Sequence, residues 1–147
     1  MSESWTNKYI NVPFVDKGRS EKGCDCWGLA RLIYQKELGI DLPILLGYKD
    51  TLDRQTISNV YESESQKWRE ISLGDEKPFD LIVLKMMGFP MHVGIVFKSG
   101  FMIHCLKDVG TVVVNYRSRQ WVKRIVGFYR YDNASNKTFT FQNVFQN

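Results

Sequence analysis

Three cysteines and two histidines are the only thiols and imidazoles in this chain, and they are unevenly placed. Cys24 and Cys26 stand one residue apart in "EKGCDCWGLARLIYQKELGI", at the mouth of an amphipathic run. A thiol at the first position of a helix faces unpaired backbone N–H groups and the positive end of the helix dipole. Both favour the thiolate, and such sites bring a cysteine from about 8.5 into a range of roughly 3.5–7.5. Asp25 is a good N-cap, which makes Cys26 the first helical residue and the candidate nucleophile. The same N–H groups can hold the oxyanion formed when a carbonyl is attacked. The plainer alternative is a small cysteine buried on a helix face. A structural zinc pair needs two to four residues between its cysteines, and there is no second pair, so no metal is expected. Cys24 reads as an inert neighbour or as a thiol exposed to oxidation. The chemistry outlined calls for no cofactor.

The two histidines fall in "HVGIVF" (92–97) and "FMIHC" (101–105), two short segments with strand character. A hairpin through Lys98-Ser99-Gly100 sets Phe97 opposite Phe101 and Gly94 opposite His104. Alternation then puts His92, Gly94, Met102 and His104 on one face, with the imidazoles as diagonal neighbours and Gly94 leaving space between them. A two-residue loop would send them to opposite faces. A histidine held by a second polar side chain is what a cysteine nucleophile needs: His92 as base, His104 as the group that orients it. The alternative for each is a satisfied core histidine.

These residues need elements to position them. Apolar side chains recur from Cys26 through Leu29, Ala30, Ile33 and Leu38, which predicts a helix ending at Gly39, with Pro43 barring any continuation. The first 23 residues read as an irregular arm lying on the core. Residues 51–70 are polar with spaced apolar points and predict a second, more exposed helix. "DLIVL" (80–84), "HVGIVF", "FMIHC", "TVVVN" (111–115) and "RIVGFYRY" (124–131) predict a strand meander. Helices first and strands second imply an α+β fold, a nucleophile-bearing helix on an antiparallel sheet of five to six strands. One domain is expected over residues 1–131, followed by a polar tail at 132–147 that is either an edge strand or a segment ordered by a partner.

At 147 residues, with 44% hydrophobic and 14% aromatic residues, the chain can bury a core. The net charge of +4 mildly favours anionic partners. Lys and Arg are scattered rather than clustered, which argues against nucleic acid. No signal peptide is visible in "MSESWTNKYINV", and "LIVLKMMGFPMHVGIVF" is broken by Lys85, Pro90 and His92, so no transmembrane segment is expected.

"DCWGL" (25–29), "HVGIV" (92–96) and "MIH" (102–104), in that order and with the histidines 12 positions apart, resemble the NlpC family of papain-like cell-wall cysteine peptidases. The arm "VPFVDKGRSEKGCDCWGLARLIYQKELGIDLP" and "RIVGFYRY" are most similar to the branch found in tails of phages and gene-transfer agents. The resemblance covers residues 5–131 and implies Cys26 as nucleophile, His92 as base and His104 as orienting residue. Asp25 matches a family position that binds the free amino end of a peptide stem. The implied reaction is cleavage of peptidoglycan stem peptides between D-γ-glutamyl and a diamino acid. The implied partners are those stem peptides and phage tail-tip proteins, and the implied place of action is a virion tail at the host wall. Phe14 stands where many members carry a tyrosine whose hydroxyl lines the site, which bears on the bond cleaved. Trp27 stands where a small residue is common and is expected to narrow the cleft. The competing readings are a tail-tip protein keeping the fold with little activity, and an amidase or acyltransferase on another acyl substrate.

Overall fold

The computed structural model describes residues 4–49 and 53–131. After a 3₁₀ turn at Trp5–Lys8, two short strands form a small hairpin, β1 (Arg19–Ser20) and β2 (Gly23–Cys24). Helix α1 (Cys26–Ile33) follows at once and runs into a π turn, Tyr34–Leu38. Asp25 caps α1, its side chain accepting from the Gly28 N–H at 2.8 Å. Gly39 ends the run in the left-handed region at φ 68°, which costs glycine little. Leu29, Ala30 and Ile33 are fully buried, as the apolar spacing requires.

Helix α2 (Arg54–Ser65) leads into β3 (Arg69–Ile71). The meander is β4 (Leu81–Met86), β5 (Phe89–Lys98), β6 (Phe101–Leu106), β7 (Gly110–Asn115) and β8 (Ile125–Arg130). One six-stranded antiparallel sheet has the order β3-β8-β4-β5-β6-β7. The α+β fold expected from the sequence is therefore present. Strand β3 was not anticipated; three residues on the sheet edge carry too little periodicity to read. The tail at 132–147 lies outside the described residues.

The sheet separates two apolar clusters. Val93, Ile95, Ile103 and Cys105 pack with Leu29, Ala30 and Ile33 of α1. Ile82, Leu84, Val96 and Met102 pack on the opposite face, under Tyr116 and Trp121 from the β7–β8 connection. Alternation along β5 and β6 thus assigns each side chain to the helix face or to the face capped by Trp121. No helix among the described residues is long and apolar enough to cross a membrane.

Candidate active site

The β5–β6 hairpin meets the expected register by a different route. Ile95 pairs with Ile103 and Val96 with Met102, but Lys98 pairs with Phe101. The loop is therefore Ser99-Gly100, two residues rather than three, with Phe97 as an extra residue on β5. A bulge adds one residue to one strand and so restores the parity that a two-residue loop removes. Both imidazoles consequently share a face, and His92 Nε2 lies 2.8 Å from His104 Nδ1. The gap at Gly94 is not open as expected: a Cβ there would meet the Met102 sulfur at 2.7 Å and His104 Cβ at 3.4 Å.

Trp121 covers the pair, 4.9 Å from the His104 ring in a T-shaped contact and 6.3 Å from His92 in a stacked one. His104 is fully buried and His92 is 5% exposed. Burial disfavours the charged imidazolium, so His104 falls to about 4. His92 is lowered well below its ordinary value by burial and by its neighbour. Both rings are neutral at pH 7. His104 Nε2 has no hydrogen-bond partner among the described residues.

A second register shift, between Leu84 and Lys85, pairs Leu84 with His92 and Lys85 with Pro90. Met91 is thus bulged beside His92. Bulges re-aim neighbouring side chains, and His92 directly follows this one. A cleft of about 250 Å³ opens there, lined by Cys26, His92, Asp25, Tyr61, Phe14 and Lys107, among others. Cys26 and His92 therefore share one cavity. Among the described residues, however, no hydrogen bond joins the Cys26 sulfur to either imidazole. Its partner is the Tyr61 hydroxyl of α2, at 3.0 Å.

The charge state of Cys26 corrects the sequence expectation. The helix-mouth argument placed its thiol below the ordinary value; here it is pushed up to about 12. Enclosure of the sulfur is the main cause and the nearby Asp25 carboxylate the second, outweighing the opposing pull of the Tyr61 hydroxyl and the Val93 main chain. The dipole of a short helix contributes too little to offset removal from water. Cys24 is fully buried and its thiol is raised. The Cys105 sulfur lies 3.3 Å from the Cys24 carbonyl oxygen.

Asp25 is 2% exposed and heavily engaged. Besides the Gly28 N–H, its Oδ1 accepts from Arg19 at 2.7 Å, and its Oδ2 accepts from the Tyr48 hydroxyl. Arg19 in turn reaches the carbonyls of Ile44 and Leu45, tying the loop after α1 to the helix mouth. Trp27 does not narrow the cleft. Its indole is buried, and its N–H donates to the Pro43 carbonyl at 2.8 Å. Phe14 lines the cleft with an apolar ring. Tyr61 was missed by sequence reasoning: it lies in a polar helix whose rotation about its axis is set by packing against the sheet. No cluster of potential metal ligands occurs among the described residues.

Known proteins share this sequence pattern and this fold. The chain is 28% identical over 136 residues to the gamma-DL-glutamyl hydrolase of Bacillus subtilis (strain 168), covering 87% of this chain and 28% of that protein. It is 22% identical over 107 residues to the murein DD-endopeptidase MepS/murein LD-carboxypeptidase of Escherichia coli (strain K12), covering 73% and 49% respectively. It thus spans half or less of these curated relatives. Among solved structures, an NLP/P60-family protein similar to lipoprotein from Staphylococcus aureus subsp. aureus Mu50 superposes with a TM-score of 0.63 at 26% identity, over 84% of this chain and 38% of that one. The NlpC/p60 domain of the peptidoglycan hydrolase SagA gives 0.60 at 22% identity, over 84% and 91%. The profile of the NlpC/P60 family matches residues 11–130, and the chain belongs to that family.

Proposed function

We propose that this protein is a cysteine peptidase that hydrolyses an amide bond in peptidoglycan stem peptides, with Cys26 as nucleophile, His92 as general base and His104 orienting His92. The observation that carries the reading is the shared cleft: the helix-mouth thiol and one member of a hydrogen-bonded imidazole pair line one cavity in an NlpC/P60 chain. The tautomers follow from the pair. For His92 Nδ1 to accept a proton, its Nε2–H donates to His104 Nδ1, and the His104 proton sits on Nε2. The Cys26 sulfur attacks the amide carbonyl carbon and forms a C–S bond. Its proton passes to His92, and the carbonyl π electrons move to oxygen. Collapse breaks the C–N bond, with His92 returning the proton to the departing amine. Water then hydrolyses the thioester. Because thiol and imidazole both rest uncharged, the thiolate–imidazolium pair forms only transiently, immediately ahead of attack on bound substrate.

The bond between D-γ-glutamyl and a diamino acid is the substrate this reading favours, supported by relatives named as a γ-DL-glutamyl hydrolase and a murein endopeptidase. Asp25 is the carboxylate of the cleft, and we place the free amino end of the stem there, shared with Arg19 and Tyr48. Action from a phage tail, docked on tail-tip proteins, rests on the likeness of the N-terminal arm and of "RIVGFYRY" to that branch. One observation favours a second reading, a tail-tip protein with little activity: the Cys26 sulfur bonds to Tyr61 rather than to an imidazole. Apo contacts of this kind commonly tighten on substrate binding. Digestion of purified peptidoglycan, read by mass spectrometry, separates the two. The peptidase releases stem fragments cut at one bond type, Cys26→Ala and His92→Ala release none, and His104→Ala retains a fraction. Equal release by all these variants overturns the peptidase reading.

A further inference from the structure

The peptidase reading leaves Tyr61 without a task, although its hydroxyl is what touches the nucleophile. Tyr61 is 8% exposed and comes from α2, outside the segments that carry Cys26 and the histidines. Its ring packs 6.2 Å from Trp27, which fixes the approach of the hydroxyl to the helix mouth. The other donors of the cleft are committed elsewhere or charged. Tyr48 donates its hydroxyl proton to Asp25, and Phe14 has no hydroxyl. Lys107 is cationic. Tyr61 is thus the neutral side-chain hydroxyl of this cavity that remains available to a reacting atom.

The bond to sulfur can run either way while the thiol is protonated. Once the proton has gone to His92, sulfur has no hydrogen to give, and the phenol must donate. The phenol is itself held well above its ordinary value by burial and by the nearby sulfur, so it keeps its proton wherever the enzyme works. In the next step the negative charge moves from sulfur to the carbonyl oxygen, two bonds away. A donor already 3.0 Å from sulfur is within reach of that oxygen by a small tilt of the ring. The Gly28 and Leu29 N–H groups are spent on Asp25, whereas those of Cys26 and Trp27, the first of the helix, are not.

We infer that Tyr61 is a further catalytic residue: its O–H donates first to the Cys26 thiolate and then to the tetrahedral oxyanion, completing with the helix-mouth N–H groups an oxyanion hole built from two helices. The inference rests on the peptidase reading and deepens it.

The test compares wild type, Tyr61→Phe and Cys26→Ala of the full chain on a synthetic stem peptide containing the γ-glutamyl–diamino acid bond, with alkylation by iodoacetamide as a second readout. Alkylation forms no oxyanion. Tyr61→Phe is expected to lower kcat by about 100-fold, the usual cost of one oxyanion donor, with KM within about threefold. Its alkylation rate at about pH 8 falls far less than kcat, since alkylation loses only the bond to sulfur. A kcat within about threefold of wild type in a folded Tyr61→Phe protein overturns the inference and leaves the peptidase reading intact. Retained activity in Cys26→Ala overturns that reading itself. Should Tyr61→Phe fail to fold, 3-fluorotyrosine at position 61 keeps the packing and makes the phenol more acidic. A more acidic phenol that keeps its proton is a stronger donor, so kcat then rises above that of wild type at neutral pH, and a kcat that does not rise contradicts the donor role.

Discussion

Raising the pH should switch on the alkylation of Cys26 gradually, without the plateau of a preformed ion pair. With the thiol pushed up to about 12, the thiolate fraction at pH 7 is about 10⁻⁵ and grows tenfold per pH unit. An unperturbed cysteine near 8.5 has about 3% thiolate at pH 7, some 3,000 times more. Nucleophilicity rises with pKa at a Brønsted slope of roughly 0.4–0.5, which over about 3.5 units returns some 30- to 50-fold. Cys26 should therefore react with iodoacetamide about 100 times more slowly than a free cysteine at pH 7. The logarithm of its rate should climb with unit slope from pH 6 to 9. Peptide mapping by mass spectrometry, at several quench times and pH values, gives the rate at each cysteine. Cys24 should label only on unfolding, since it is fully buried. A Cys26 rate that is flat between pH 6 and 9, or faster than free cysteine at pH 6, would refute the claim that burial outweighs the helix mouth.

Two further outcomes follow from buried charge. Asp25→Ala removes the cap of α1 and leaves Arg19, 10% exposed at its side chain, without its carboxylate. Breaking a buried pair on one side costs about 3–5 kcal/mol, within which the cap loss of about 1 kcal/mol partly overlaps. At about 2–4 °C per kcal/mol the melting temperature should fall by roughly 10 °C in a thermal scan; a fall under about 2 °C contradicts the hub role of Asp25. The histidine pair predicts acid sensitivity. Both folded-state values are lowered, so the unfolded chain binds protons that the folded chain refuses. The stabilisation is complete above about 6.5 and is lost as pH falls towards about 4, with His104 contributing up to about 3 kcal/mol. Urea denaturation between pH 7 and 4.5 should show that loss, and His104→Gln should flatten it. An equally steep decline in the variant rules the pair out as its source.

Much of this was legible because it is local. The cap, the first helical residue and the Gly39 stop follow from neighbours in sequence. The imidazole contact follows from alternation once the parity of the hairpin is known, and the bulge at Phe97 kept that parity while shortening the loop. What stayed hidden depends on distant surfaces. The thiol of Cys26 is raised by burial and by the Asp25 carboxylate, and how far the sulfur is removed from water is set by tertiary packing that no spacing argument supplies. Tyr61 belongs to a helix with a weak apolar stripe, so its inward face was undetermined until the sheet was in place. Trp27 turned to Pro43 because an indole N–H found a carbonyl in the loop beyond α1.

The central claim is that Cys26 becomes covalently acylated during turnover. Wild-type protein mixed with the γ-glutamyl stem peptide, quenched in acid within milliseconds to seconds and read by intact mass and peptide mapping, should carry the acyl fragment as a thioester on Cys26. Cleavage of the peptide with no adduct at that sulfur at any quench time, or with the adduct on another residue, would contradict it.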